Sequence, residues 1–237
     1  MPLIYKNERI GEKMYSIAID GPSGAGKSSV AKAVAAALGF LYVDTGAIYR
    51  TVGLFAKKNN IKPDDEKTLS ENFDKIKIEL RWVDGTQHVF LSGEDVSGDI
   101  RTPEMSMYAS AVSALGKVRA FLLEMQRDFA KNNNVIMDGR DIGTVVLPDA
   151  DVKIFMFASS EARAKRRYKE LVEKGKDVKY EDVLSDMITR DKNDSSRALT
   201  PCKPAEDAIM LDNSDLGLEE NIKKVLEIVN EKINVAL

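Results

Sequence analysis

The sequence predicts an α/β protein in three layers, a parallel sheet with helices on both faces, interrupted by a small antiparallel insert. Three observations predict it. From Tyr15 onward, short apolar stretches alternate with helical patterns, as they do where parallel strands are joined by helices. A glycine-rich turn, Gly21-Pro22-Ser23-Gly24-Ala25-Gly26-Lys27-Ser28, joins the first apolar stretch to a helix. Between about residues 74 and 110 the alternation gives way to closely spaced segments of period two.

In order, Tyr15 to Asp20 reads as a buried strand and Ser28 to Leu38 as an alanine-rich helix stopped by Gly39. Phe40 to Val43 is a second strand, and Asp44-Thr45-Gly46 opens a helix reaching about Asn59. Ile76 to Leu80 and His88 to Leu91 alternate around an Asp84-Gly85 turn, with a third short strand at Glu94 to Val96. Lys117 to Lys131 reads as a helix whose apolar face holds Val118, Phe121, Leu122, Met125 and Phe129. Val135 to Met137, ending at Asp138, and Val152 to Phe157 are compact strands. A charged helix from Ser160 to Lys174, another from about Glu181, a strand at Ala208 to Leu211 and an amphipathic helix from Glu219 to Ala236 close the chain. The expected organisation is a leader at 1–14 and one domain at 15–237, its core at 15–73 and 111–237 and its insert at about 74–110.

Composition narrows the function. The 237 residues, 43% hydrophobic and 31% charged, supply a sizeable core. A formal net charge of -3 argues against nucleic-acid binding through overall charge. Cys202 is the only cysteine, so neither an intramolecular disulfide nor a cysteine metal cluster can form. His88 is the only histidine, and its place in Gln87-His88-Val89-Phe90-Leu91 reads as a surface strand position rather than a catalytic base. No window approaches the about 18 apolar residues of a membrane span, and the charged leader lacks a signal-peptide core. A cytoplasmic protein is expected.

The turn fits the pattern G-x-x-x-x-G-K-[ST] in its required place, between a strand and a helix. Gly21, Gly24 and Gly26 let the backbone curl, so that the amides from Ser23 through Ala25 to Ser29 point at phosphate oxygens beside a helix N-terminus. Lys27 reaches the β- and γ-phosphates as a mobile charge, and the Ser28 hydroxyl is placed to ligate Mg2+. The motif implies nucleotide binding, ATP as donor being the expectation with Mg2+, but it also occurs in GTPases and motor ATPases and leaves the acceptor open. Asp191-Lys192-Asn193-Asp194 does not fit the guanine-reading pattern Asn-Lys-x-Asp, which lowers the weight of GTP. Asp138, at the end of its strand, reads equally as a carboxylate of the Mg2+ water shell or as an ordinary turn aspartate.

Phosphoryl transfer between two phosphate-bearing substrates needs cations, and the arginine fork suits phosphate oxygens. Arg50, Arg140, Arg190 and Arg197 stand where loops leave strands or follow helices, and Arg140 follows a buried strand directly, where an open sheet has its ligand crevice. Arg163, Arg166 and Arg167 share the charged helix, where Glu161 and Glu170 offer simple ion pairs instead.

The segments GPSGAGKSS, DTGAIYR, MDGRDIGTVVLPDAD and RDKNDSSRALTPCKPAEDA together resemble those of the bacterial cytidylate kinases. The resemblance runs from about Tyr15 to the C-terminus and includes the insert. It implies that Asp44, Thr45 and Arg50 hold the acceptor phosphate together with Arg140 and Arg197, and that Arg190 and Asp194 hold the sugar and the nearby phosphate. It places Ser110, Arg119 and Asp141 against cytosine in a CMP-binding insert and site. It also makes about 160–193 a helical lid whose Arg163, Arg166 and Arg167 close over ATP, with Lys27, Arg140, Arg163 and Arg190 stabilising the transferring group. Thr45 stands where the family has a serine, and Ser28 where some relatives have a glycine. The implied reaction moves the γ-phosphoryl group of ATP to CMP or dCMP in a monomer. A kinase for another small acceptor such as UMP is the alternative.

Overall fold

The computed structural model of the protein describes residues 13–83 and 86–233. Its first elements are β1 (Ser16–Asp20), α1 (Lys27–Leu38), β2 (Leu41–Asp44), α2 (Thr45–Lys58), α3 (Glu66–Ser70), β3 (Ile78–Val83), β4 (Thr86–Leu91) and β5 (Glu94–Asp95). They are followed by α4 (Pro103–Val112), α5 (Gly116–Asn132), β6 (Val135–Gly139), a π-helical turn (Ile142–Val146), β7 (Val152–Phe157), α6 (Ser160–Glu173), α7 (Tyr180–Ser195), β8 (Ile209–Asp212) and α8 (Leu218–Ile233). The leader through residue 12, the Asp84-Gly85 turn and the end of the closing helix, 234–236, lie outside the described residues. Contacts divide the chain into two compact units, one containing 44–133 and the other 15–43 with 134 onward.

The larger unit is built on a five-stranded sheet in the order β2-β6-β1-β7-β8. Strand β1 pairs in parallel with β6, Ile17 opposite Ile136, and with β7, Ile19 opposite Ile154; β7 pairs in parallel with β8. Ile17, Ile19, Ile136, Ile154 and Met156 pack against Val30, Ala31 and Val34 of α1 and Val225 and Val229 of α8. Residues of the opposite parity, Ala18 and Met137, are just as buried, as strands covered on both faces require. Helices α6 and α7 form a hairpin with its own small core of Ala164, Val183 and Met187, flanked by the edge-to-face pair Tyr168 and Tyr180.

In the smaller unit, β3, β4 and β5 form an antiparallel sheet with Ile78 opposite Leu91 and Phe90 opposite Asp95. It lies within the stretch where period-two patterning predicts an insert. Helix α2 packs on α4, and α3 on α5, where the rings of Phe73 and Phe121 stack with centroids 4.4 Å apart. His88 sits on β4 with its Nδ1 2.6 Å from Asp95 Oδ2, a surface-sheet pair in keeping with its sequence reading.

Helices α3 and α4 were not expected from periodicity. Each starts at a side-chain cap: Asp65 accepts from Thr68 N, and Thr102 accepts from Met105 N with Pro103 in the first turn.

Candidate active site

Strand β1 delivers the chain to the glycine-rich turn, and α1 begins at its lysine. Gly21 has φ +144, and a Cβ there would lie 1.9 Å from the Met156 carbonyl oxygen, so only glycine lets the turn leave the sheet. Gly24, at φ +75, faces the Met187 side chain and Arg163 Cβ, which seats the loop on the α6–α7 hairpin. The loop is held from outside as well. Asn213, buried just past β8, donates to the Ala25 carbonyl at 2.7 Å, and Arg163 donates to the Ser23 carbonyl at 2.8 Å. Its amides stay shaped for an anion because its carbonyls are already engaged.

Lys27 is buried and donates to the Pro22 carbonyl at 2.8 Å. Burial pushes its ammonium down to about 7; the nearby charge of Arg140 pushes the same way, against Asp138. The Ser28 hydroxyl donates to Asp138 Oδ2 at 2.6 Å, while the Tyr42 hydroxyl donates to Asp138 Oδ1 at 3.0 Å. Hydroxyl and carboxylate oxygens side by side are the hard donors that Mg2+ takes, so the residues fit that ion. Ser29 and Ser28 are both exposed on the first turn of α1.

Beyond β6 the chain carries Arg140 and Asp141. Arg140 Nε donates to Asp194 Oδ2 at 3.0 Å, and Arg197 Nη2 donates to Asp194 Oδ1 at 2.6 Å. Burial alone would raise the Asp194 carboxyl, but the charges of Arg140, Arg197 and Arg190 outweigh it and hold the group below the usual range. Asp194 thus aligns two cations, and Arg190 lies one helical turn before it on α7. Asp141 is buried at the start of the π-helical turn, where its carbonyl accepts from the amides of Val145 and Val146. A cleft of about 280 Å³ beside the loop is lined by Pro22, Phe157, Arg163, Asp194 and Cys202, among others.

Three arginines of the charged helix do three different things. Arg163 turns inward: Nε donates to the Ala158 carbonyl, Nη1 to Ser23 and Asp191, and Nη2 to Ser160 and Asp191. Arg166 binds the carbonyls of Asn213 and Ser214, fixing the loop after β8. Arg167 pairs with Glu170, one of the two ion-pair partners that helical spacing offered.

In the smaller unit Asp44 caps α2, its Oδ1 accepting from Ala47 N, while its Oδ2 pairs with Arg50 Nη2 at 2.8 Å. Thr45 is buried beside it. Arg119 lies over the ring of Tyr49, 5.6 Å from its centroid, and donates to the Ser113 carbonyl. Ser110 is on α4, its carbonyl accepting from Ser113 Oγ.

The model of the cytidylate kinase family matches residues 17–231. The chain is 53% identical over 216 residues to a cytidylate kinase of Caldicellulosiruptor bescii, covering 91% of this chain and 96% of that one. The chain belongs to the cytidylate kinase family. It is also 50% identical to the cytidylate kinase of Thermosipho melanesiensis, with 91% and 97% covered, and 48% identical to that of Lactobacillus johnsonii, with 92% and 95% covered.

The residues that the family resemblance implied divide between the two units. Lys27, Ser28, Arg140, Asp141, Arg163, Arg190, Asp194 and Arg197 share the larger unit, and Asp44, Thr45, Arg50, Ser110 and Arg119 the smaller. The sequence reading did not single out Tyr42, Tyr49, Asn213 or Asp20. Each acts on a group far away in sequence; Tyr49 lies within the segment DTGAIYR and Asp20 is the polar end of an apolar strand, while Tyr42 and Asn213 sit in no motif. No helix among the described residues is long and apolar enough to cross a membrane.

Proposed function

We propose that the protein transfers the γ-phosphoryl group of ATP to CMP or dCMP, giving ADP with CDP or dCDP. The observation that carries this reading is the family match across 17–231, since it supplies the acceptor that the phosphate-binding loop leaves open. The attacking atom is an oxygen of the acceptor's phosphate. It forms a bond to the γ-phosphorus as the bond from that phosphorus to the β–γ bridging oxygen breaks, the electron pair staying on that oxygen, which leaves as part of ADP. The nucleophile is already an anion, so no general base is required.

The protein's share is positioning and charge. Lys27 follows the transferring group, and the loop amides hold the donor phosphates. Ser28, with Asp138 behind it, would hold Mg2+, which when bound withdraws charge from the β- and γ-oxygens. Arg140, Arg190, Asp194 and Arg197 are assigned to the acceptor phosphate and sugar, and the family resemblance assigns Asp44, Thr45 and Arg50 to that phosphate as well. Ser110, Arg119 and Asp141 are assigned to the base. A carboxylate accepts from the exocyclic amine of cytosine, whereas uracil presents a carbonyl there, acceptor against acceptor. Phosphate contacts by Arg163 would require it to let go of Asp191. We therefore assign it to holding Ser23 in the free protein and to the lid when ATP is bound.

The test is to follow γ-labelled ATP with and without CMP. Label in CDP, formed only with CMP present, supports the reading; label released to water at a rate indifferent to CMP overturns it.

A further inference from the structure

Asp20 is the last residue of β1, buried immediately before the phosphate-binding loop. Its carboxylate reaches the loop after β6 in two-pronged fashion. Oδ1 accepts from Ile142 N at 2.8 Å and Oδ2 from Gly143 N at 2.7 Å. These are the first two amides of the π-helical turn, which have no partner inside it. Together with the Val145 and Val146 amides on the Asp141 carbonyl, they fix the peptide that follows the Asp141 Cα. Asp141 itself has φ -149 and ψ 27, outside regular helix or strand geometry.

We infer that Asp20 is a positioning residue for Asp141, holding the Ile142–Val146 turn so that the Asp141 carboxylate is aimed at the exocyclic amine of the acceptor base. The inference rests on the reading of Asp141 as the group that faces that amine. The chemistry requires a carboxylate at residue 20. An asparagine has one acceptor oxygen and would turn an NH2 group toward the second amide, donor against donor. A buried carboxylate is otherwise a poor choice: burial pushes Asp20 up to about 6, with the Gly143 and Ile142 amides and Lys27 pulling it down and Asp141 pushing it up.

The experiment measures kcat/KM for CMP and for UMP, and KM for ATP, in the unchanged protein, Asp20→Asn, Asp141→Asn and the double variant. Asp20→Asn should lower the CMP-to-UMP ratio about tenfold or more, as expected of a misaimed contact, and leave KM for ATP within about twofold. The double variant should lose no more selectivity than Asp141→Asn alone, because Asp20 acts through Asp141. Additive losses would mean an independent structural role and overturn the inference. A normal ratio in Asp20→Asn beside a reduced one in Asp141→Asn overturns the inference and leaves the base reading intact. A normal ratio in Asp141→Asn overturns both. Should Asp20→Asn fail to fold, Asp20→Glu carries the same test, since it keeps the carboxylate but moves it one methylene out of register with the Ile142 and Gly143 amides. Unchanged selectivity there overturns the inference.

Discussion

Ser28 and Asp138 stand 110 residues apart and share a hydroxyl-to-carboxylate hydrogen bond of 2.6 Å. The sequence leaves Asp138 balanced between a magnesium-shell carboxylate and an ordinary turn aspartate. Its bond to the hydroxyl of the phosphate-binding loop, with Tyr42 on its other oxygen, favours the first. Asp138→Asn keeps the size but removes the charge. It should cut kcat about 10- to 100-fold, as for groups behind a metal ligand, and raise the Mg2+ concentration giving half-maximal rate. Tyr42→Phe should do the same more weakly. Lower thermal stability with unchanged Mg2+ dependence would return Asp138 to the turn-aspartate reading.

Lys27 is a buried cation whose pKa burial lowers from 10.5 to about 7. Bound phosphates favour its charged form, so ATP binding should take up protons near and above pH 7, and ATP affinity should weaken as pH rises from 7 to 9. The unfolded chain holds this proton up to 10.5, so unfolding takes up a proton between about 7 and 10.5, and there the lysine's burial cost shrinks as pH rises. Lys27→Ala should abolish transfer, lose the proton uptake seen by calorimetry in two buffers, and keep the fold.

Arg163 and Asp191 form an ion pair at 2.6 Å, with the guanidinium buried. Removing one partner strands the other. Asp191→Ala should destabilise the protein by about 3 kcal/mol in denaturant unfolding, and it should raise KM for ATP because Arg163 also holds Ser23. A loss of stability without any change in KM for ATP would confine the pair to the α6–α7 hairpin.

Asp194 aligns Arg140 and Arg197, and their charges keep its pKa below the ordinary 3.8. A depressed carboxyl stabilises the fold above its unfolded value and loses that contribution as pH falls through the folded one. The gap in melting temperature between the protein and Asp194→Asn should therefore be full at pH 6 and close progressively below about pH 4. At neutral pH, Asp194→Asn should raise KM for CMP more than KM for ATP.

The core was legible because its physics is local. Apolar runs such as Val135 to Met137 are buried on both faces, and the loop motif sits between strand and helix, so pattern alone placed both. Helix α4 escaped because its apolar residues have little periodicity, although Thr102-Pro103 marks its start. Among site residues, those in motifs were readable, while Tyr42, Asn213 and Asp20 were not. Their partners, Asp138, Ala25 and the Ile142–Gly143 amides, are brought to them by sheet order, which no local pattern encodes. Arg163 was placed on the right helix, but its inward turn depends on Asp191 from the next one.

The most direct measurement is the set of kcat/KM values for CMP, dCMP, UMP and AMP with ATP as donor. CMP or dCMP should lead and UMP should trail by an order of magnitude or more, because a carbonyl faces Asp141 where an amine should. A preference for UMP or AMP would contradict the CMP assignment.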